Sequence, residues 1–165
     1  AAARAALARF GERFQTREID LFVDPWRRIL PQPLGAVVSS LAVHHLDGAG
    51  KQRLFRDLAV ALAPGGALVI ADLIAPAAPE GVAIAASAWD EAVRKRSLDL
   101  AGDLRAFEQF RAMNWNLYSD PTPDPVDKPS PLLAQLRWLE QAGLTAIDVY
   151  WQQAGHAIFG GKKGA

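Results

Sequence analysis

Two short apolar runs without charged residues stand out in the first half of the chain, at 36–41 and 67–71. Uncharged runs of this length are typical of parallel strands that are buried on both faces. Residues 48–63 carry apolar side chains at helical spacing, which predicts an amphipathic helix between the two strands. Its outward face is expected to hold Lys51, Arg53, Arg56 and Asp57. The order strand, helix, strand predicts a parallel α/β sheet.

The first thirty residues show the same alternation less clearly. Strong helix formers over 1–13 predict a helix, alternating apolar residues over 14–23 predict a short strand, and 26–30 predicts a helical turn. The chain opens inside a helical pattern, without an initiator Met or an N-cap residue ahead of the first helix. Because a domain seldom begins in this way, we expect the chain to be part of a longer protein.

Residues 75–130 interrupt the rhythm of strands and helices. Residues 82–110 predict one or two helices with an interruption near Gly102, and the Pro-, Asp- and Asn-rich stretch over 114–131 predicts a loop or lid. Ser130 is the expected N-cap of a following helix, and Pro131 is acceptable in the first turn of that helix.

The C-terminal region predicts a helix over 131–142 that Gly143 ends. Strands over 145–152 and 156–162 follow, joined by a tight Ala-Gly turn that makes them an antiparallel hairpin. We therefore predict one incomplete α/β domain with a doubly wound, mostly parallel sheet that ends in an antiparallel hairpin. Its parts are a core over 1–74, a helical and loop insertion over 75–130 that caps the site, and the last helix and hairpin over 131–165.

Composition narrows the classes of function. The 165 residues carry zero net charge and contain no cysteine. Disulfides, thiolate metal sites and cysteine nucleophiles are therefore excluded for this chain, and no basic surface for nucleic acid is expected. No apolar run reaches the ~20 residues needed to span a bilayer. We expect a cytoplasmic protein that acts on a small molecule and binds neither nucleic acid nor membrane.

Three stretches carry a family resemblance when they are taken together. The first is Ala-Val-Val-Ser-Ser-Leu-Ala-Val-His-His-Leu over 36–46, and the second is Leu-Ala-Pro-Gly-Gly-Ala-Leu-Val-Ile-Ala-Asp-Leu over 62–73. The third is the region over 138–162, which opens Trp-Leu-Glu-Gln-Ala-Gly and closes in Phe-Gly-Gly-Lys. In this order and spacing the chain resembles the C-terminal two-thirds of a class I, Rossmann-like methyltransferase that depends on S-adenosylmethionine (SAM).

The resemblance implies methyl transfer from SAM to a small-molecule acceptor, with S-adenosylhomocysteine as the product. In that family a Gly-rich loop and an acidic residue precede the region seen here and hold the cofactor. Neither is present in this sequence, so the N-terminal strands are expected to be missing and the chain alone is expected to bind SAM poorly. The sheet edge left open by those strands is expected to support a homodimer.

The resemblance and the rule that ligands bind at the carboxyl ends of parallel strands together give a set of cofactor-binding residues. They are Asp20, Leu21, Ser39, Ser40, Leu41 and His44. His45 is the preferred general base, because a neutral imidazole can accept a proton at physiological pH. No metal site is expected, because the two adjacent histidines would need further convergent ligands and the third, His156, lies far along the chain.

Substrate contacts are expected from the polar and aromatic residues of the insertion, whose rings and polar groups suit a pocket. They are Trp89, Asn114, Trp115 and Tyr118. Three other functional classes are alternatives to methyl transfer. A nicotinamide-dependent oxidoreductase would usually show a Tyr-x-x-x-Lys proton donor, and a hydrolase of the α/β type would show G-x-S-x-G; neither motif is present. A catalytically inactive methyltransferase-like partner or scaffold subunit remains open.

Overall fold

A computed structural model describes residues 2–21, 26, 30–120 and 125–165. The chain divides into two compact units, Ala1–Leu30 and Pro31–Ala165, and each is described by itself.

In the first unit, a short helix α1 over Ala2–Ala6 precedes a 3₁₀ segment over Ala8–Arg13. The helix predicted over 1–13 is therefore divided into two helical segments, and Gly11 takes a non-helical φ of 54° within the second. The predicted strand over 14–23 is wrong where the structure describes it, because residues 14–21 form no strand. Apolar alternation alone does not make a strand without a hydrogen-bonding neighbour. Most of the predicted helical turn over 26–30 lies outside the described residues.

The second unit alternates strands and helices. In chain order the elements are β1 Leu34–Ser40, a 3₁₀ turn Val43–His45, α2 Gly48–Ala61, β2 Leu62–Ala75, α3 Glu80–Ala101, α4 Arg105–Ala112, β3 Ser130–Pro131, α5 Leu132–Gln141, β4 Leu144–Gln153 and β5 His156–Lys163. The break between α3 and α4 falls at Gly102, as the sequence predicts, and Gly102 adopts a left-handed φ of 73°.

The strands form a mixed sheet in the order β1-β2-β5-β4, with the short β3 beside β2. Val37 lies opposite Leu68 and Ser40 opposite Ala71 in a parallel pairing of β1 with β2, which confirms that the two apolar runs are neighbours. β5 runs antiparallel to both β2 and β4, so the C-terminal hairpin is confirmed. The doubly wound arrangement of the helices stays a prediction.

β1 differs from its prediction in burial. Val38, at its centre, is 74% exposed, whereas the sequence run predicts a strand covered on both faces. Among the described residues β1 pairs with β2 alone, so this strand lies at the edge of the described sheet. A strand can be fully covered only when it has a neighbour on each side and a layer on each face.

The Pro-Gly-Gly stretch over 64–66 lies in an irregular part at the start of β2. Leu34 pairs with Leu62, yet Ala36 pairs with Ala67, so the residues between Leu62 and Ala67 bulge out of the ladder. Gly65 takes a φ of 76° there, a conformation that glycine adopts at little cost. The bulge sets the register in which the carboxyl ends of the two strands meet.

The core lies where α2 and α5 meet the sheet. Its fully buried apolar side chains include Phe55, Leu68, Ile70, Leu139 and Phe159. Lys51 is also fully buried, so its predicted place on the outward face of α2 is wrong. The reason is positional: Lys51 precedes Leu54, Phe55 and Leu58 at helical spacing and belongs to their stripe.

Ser130 does not cap the last helix, contrary to the prediction. It pairs with Ile74 of β2 in the two-residue β3, and α5 begins two residues later without a side-chain cap. The Ser130 hydroxyl instead accepts a hydrogen bond from Lys51 Nζ at 3.0 Å.

Within the described part of the chain, the longest helices are too polar or too short to cross a membrane.

Candidate functional site

The candidate site forms where β1 and β2 end. The backbone N–H of Leu41 donates to the Ala71 carbonyl at 2.9 Å, which extends the parallel ladder by one residue. Leu41 then takes a φ of 48° and the chain enters the 3₁₀ turn Val43–His45. This sharp change of direction brings His44 back over β2 at Asp72, the residue that follows the last β2 residue paired with β1.

His44 and Asp72 form a buried pair, since only 5% and 3% of the two residues is exposed. The His44 backbone N–H donates to Asp72 Oδ2 at 3.0 Å, and the ring nitrogen Nδ1 makes a short hydrogen bond with Asp72 Oδ1. The N–H of Leu73 also donates to Oδ1, at 2.8 Å. Three donors thus satisfy the buried carboxylate, as a charge in this environment requires, and they fix the orientation of the imidazole.

Asp127 approaches the same imidazole from the other side. Its Oδ1 lies 3.3 Å from Nε2 of His44 and 3.0 Å from Nδ1 of His45. The backbone N–H of Lys128 donates to the His44 carbonyl at 2.8 Å, which ties this segment to the histidine turn. His44 therefore lies between two carboxylates, each facing a different ring nitrogen.

Lys51 links the 3₁₀ turn Val43–His45 to the segment that contains Asp127 and Lys128. Its Nζ donates to the Leu46 carbonyl at 2.6 Å, to the Lys128 carbonyl and to Ser130 Oγ. No carboxylate contacts the ammonium among the described residues. Burial therefore dominates and lowers the pKa of Lys51 to about 8, against the opposing charges of Asp72 and Asp47.

We expect the burial of Lys51 to leave a signature in stability. Because the pKa of Lys51 is about 8 in the folded chain against an ordinary value of 10.5, the unfolded chain binds more protons between these two values. Stability should therefore rise with pH across that window. At about 1.4 kcal/mol per pKa unit, reduced for the screening found even inside proteins, the rise is on the order of 1–2 kcal/mol.

Urea unfolding of the chain at pH 7.5 and pH 10 measures this rise, with Lys51→Met as the matched control. Methionine has a similar length and does not titrate, so the difference between the two proteins isolates Lys51 from the other ionisable groups. Parallel stability curves for the two proteins across the window would show that Lys51 keeps its ordinary pKa.

The predicted cofactor residues fall in two places. Ser39 and Ser40 end β1, and Leu41 follows with 56% of its surface exposed. These three lie beside the His44 turn, at the strand end where the sequence analysis placed them. Asp20 and Leu21 belong to the first unit, where both are exposed and lie outside regular structure. Their cofactor role stays a prediction.

The predicted substrate residues do not form one cluster. Trp89 packs against Tyr118 at 5.6 Å between ring centroids and edge-on against His156 at 4.8 Å. The buried Tyr118 hydroxyl donates to the carbonyls of Ile74 and Gly155, and its pKa is raised by burial. Asn114 donates to Asp120, and Trp115 is 56% exposed. Trp89 and Tyr118 thus support the hairpin, while the other two lie at the surface.

Two cavities border the insertion. One of about 540 Å³ begins at Ile74, two residues beyond Asp72, and is lined mainly by apolar side chains of α3 and α5 such as Ile84 and Leu136. The other, of about 720 Å³, lies between α3 and the hairpin and includes Trp89 and Trp151. Both have the size of small-molecule pockets, and the first is the nearer along the chain to Asp72.

Sequence reasoning missed Asp127 and Lys51. The signal for Lys51 was its place in the apolar stripe of α2, as described above. Asp127 had no such signal, because it lies in an irregular segment more than eighty residues from its histidine partners. The pairing of Asp72 with His44 became visible in the structure.

No protein-family model matches the sequence, and no curated protein matches it. Solved structures do resemble it. An O-methyltransferase family protein from Burkholderia thailandensis superimposes with a TM-score of 0.64 at 17% identity, over 99% of this chain and 40% of that one. The S-adenosylmethionine-dependent methyltransferase SibL, in its apo form, gives 0.59 at 18% identity, over 99% and 40%. An O-methyltransferase family 2 protein from Planctomyces limnophilus, in complex with apigenin, gives 0.56 at 21% identity, over 98% and 38%.

These likenesses identify the fold. The chain has the fold of class I methyltransferases, which confirms the resemblance at the level of architecture. It spans about 40% of the length of the solved structures that it matches. Identities near one in five establish shared architecture alone, so the chemistry has to be argued from the site itself.

Proposed function

We propose that the protein transfers a methyl group from SAM to a hydroxyl oxygen of a small-molecule acceptor, with His44 as the general base. The observation that carries this proposal is the buried His44–Asp72 pair at the carboxyl ends of two parallel strands, where ligands of open α/β sheets bind. The shared fold with SAM-dependent O-methyltransferases supports the same reaction class.

His44 suits the role of base better than His45, which the sequence analysis preferred. The hydrogen bond from Nδ1 to Asp72 selects the tautomer in which Nε2 carries the lone pair. Asp72 stabilises the ring once Nε2 has accepted a proton, and Asp127 Oδ1 lies 3.3 Å from Nε2. The His45 ring, by contrast, has a side chain 42% exposed, and its Nδ1 makes no hydrogen bond with the described residues.

The cofactor supplies an electrophilic methyl group bound to a sulfonium sulfur. Ser39 and Ser40 fit such a group beside His44, because small side chains at the strand end leave room for a ligand and offer hydroxyls to it. We propose that these residues, with Leu41, contact the methionine portion of SAM. With SAM bound, His44 Nε2 would accept the proton of the acceptor hydroxyl, and SAM would supply the methyl group to that oxygen and leave as S-adenosylhomocysteine.

The acceptor is proposed to be a small, largely apolar alcohol or phenol. The 540 Å³ cavity next to β2 is lined by alanines, leucines, isoleucines and a proline, which suit an aromatic or aliphatic body. The chain carries zero net charge, which gives no electrostatic attraction to a polyanionic acceptor.

The test measures S-adenosylhomocysteine formed by the full-length polypeptide in which this chain occurs. Apigenin, which carries free phenolic hydroxyls, serves as one probe within a panel of phenols and alcohols, and its fully O-methylated ether is the matched control without an acceptor proton. We expect product with hydroxylated members of the panel and none with the ether. SAM binding by calorimetry without transfer to any hydroxyl would remove the oxygen acceptor, and absence of SAM binding would favour the inactive-partner alternative.

A further inference from the structure

Three ligand-type atoms converge on one point of the candidate site. One potential ligand atom from each of His44, His45 and Asp127 lies within 4.8 Å of the other two, and the nitrogens next to Asp127 Oδ1 are Nε2 of His44 and Nδ1 of His45. The rings of the two adjacent histidines are tilted with their centroids 4.1 Å apart, so both present a nitrogen to the same carboxylate. The sequence argument against a metal site was the lack of further convergent ligands, and Asp127 supplies one.

The distances suit a first-row transition ion. Zinc binds imidazole nitrogen and carboxylate oxygen at about 2.0–2.2 Å, which places neighbouring ligand atoms roughly 2.8–3.6 Å apart around octahedral or tetrahedral ions. Asp127 Oδ1 lies 3.3 Å from His44 Nε2 and 3.0 Å from His45 Nδ1. Both separations fall in that range before any side chain moves.

Asp72 contacts the other ring nitrogen of His44, Nδ1. Histidines that bind metals usually donate their other ring N–H to a carboxylate, which fixes the tautomer and makes the free nitrogen a better ligand. His44 Nδ1 makes this hydrogen bond to Asp72, and its backbone is held by both Asp72 and Lys128. These contacts fix the orientation of the His44 ring and make Nε2 a better metal ligand.

His45 provides an independent observation. Its Nδ1 is buried and has no hydrogen-bond partner among the described residues, although Asp127 Oδ1 lies 3.0 Å away. A buried nitrogen left without a hydrogen bond costs free energy. A cation bound between these two atoms removes that penalty.

We propose that His44, His45 and Asp127 bind a divalent transition-metal ion of the Zn²⁺ type, with the fourth position open to water or a substrate oxygen. Two imidazoles and one carboxylate select borderline metals over Mg²⁺ or Ca²⁺, which prefer oxygen ligands. Copper(I) and thiolate-bound zinc are not candidates, because the chain has no cysteine.

A consequence of this site rests on the proposed function. Zn²⁺ at Nε2 occupies the lone pair that His44 needs to accept a proton, so the ion inhibits methyl transfer and a chelator restores it. Metal binding itself is measured without SAM or an acceptor. Binding of Zn²⁺ with unchanged turnover would therefore leave the metal site in place and remove His44 as the base.

The direct test titrates the chain with ZnCl₂ by calorimetry in a non-chelating buffer. We expect one ion per chain, and no heat of binding from MgCl₂. His45→Ala and Asp127→Asn should each weaken binding at least tenfold, and Asp72→Asn by about 10–100-fold, the range found for groups that orient metal ligands. His156→Ala, the remaining histidine of the chain, is the matched control and should bind Zn²⁺ as the unaltered chain does.

A second measurement avoids substitutions and any loss of folding that they cause. In ¹⁵N spectra of the imidazole nitrogens, Zn²⁺ should shift His44 Nε2 and His45 Nδ1 and leave both nitrogens of His156 in place. Absence of Zn²⁺ binding, or binding that the His45 and Asp127 variants retain in full, would overturn the metal site.

Discussion

His44→Gln should lower methyl transfer by about 10²–10⁴-fold, the range in which general bases contribute. Glutamine retains an amide that can reach Asp72, so the buried carboxylate keeps a partner and the variant is expected to fold. What it removes is the nitrogen that accepts the proton. The measurement is single-turnover formation of S-adenosylhomocysteine with an acceptor identified by the hydroxyl panel, alongside calorimetric SAM affinity, which should change far less than turnover.

Two further variants separate the base from its support. Asp72→Asn replaces a carboxylate that holds the buried imidazole and should also lower turnover strongly, because the amide stabilises a protonated ring poorly. Asp148→Asn makes the same chemical change at an exposed position of β4 and should leave turnover unaltered. If His44→Gln kept its turnover while His45→Gln lost it, the base would be His45 and the geometric argument would fail.

The strand-end location of the site could be predicted from the sequence, whereas its partners could not. Two uncharged runs separated by an amphipathic helix imply parallel neighbours, and parallel neighbours bring their carboxyl ends together. This reasoning placed His44 at the carboxyl edge of the sheet. It did not show that a 3₁₀ turn after Leu41 folds His44 back onto Asp72, because a single positive φ has no signature when the residue is leucine.

Lys51 and Asp127 show two different limits of sequence reasoning. Lysine is almost never fully buried, so the sequence prediction placed Lys51 on the outward face of α2. That placement was wrong, although the helical periodicity put Lys51 in the apolar stripe. The carbonyls and the hydroxyl that compensate its burial come from distant segments. Asp127 lies in a stretch without periodicity. Its place at the site depends on long-range contacts, such as the one between Lys128 and His44.

β1 shows a third limit. Its apolar pattern over 36–41 predicts burial on both faces, but burial depends on neighbours that the pattern itself does not contain. Among the described residues, β2 is the only strand beside it, and Val38 is mainly exposed. The pairing was therefore predictable and the environment was not.

Gly160→Ala should cost the fold more than about 3 kcal/mol, beyond the usual penalty for overpacking. Gly160 lies in β5 opposite Val69 of β2, and a Cβ at this position would stand 2.0 Å from the Leu68 carbonyl oxygen. That oxygen belongs to the backbone of the neighbouring strand, so no side-chain rotation relieves the contact. The two strands must separate, and the ladder between them must weaken.

The loss should reach the functional site, because the same ladder holds Asp72 opposite Ala157 and so fixes the carboxylate that orients His44. Urea unfolding monitored by circular dichroism measures the cost, with Gly164→Ala as the matched control. An added Cβ at Gly164 meets nothing within 4 Å, so that variant should stay within about 0.5 kcal/mol of the unaltered chain. Equal stability of the two variants would mean that β5 and β2 are not packed as closely as described, and the position of Asp72 under His44 would lose its structural basis.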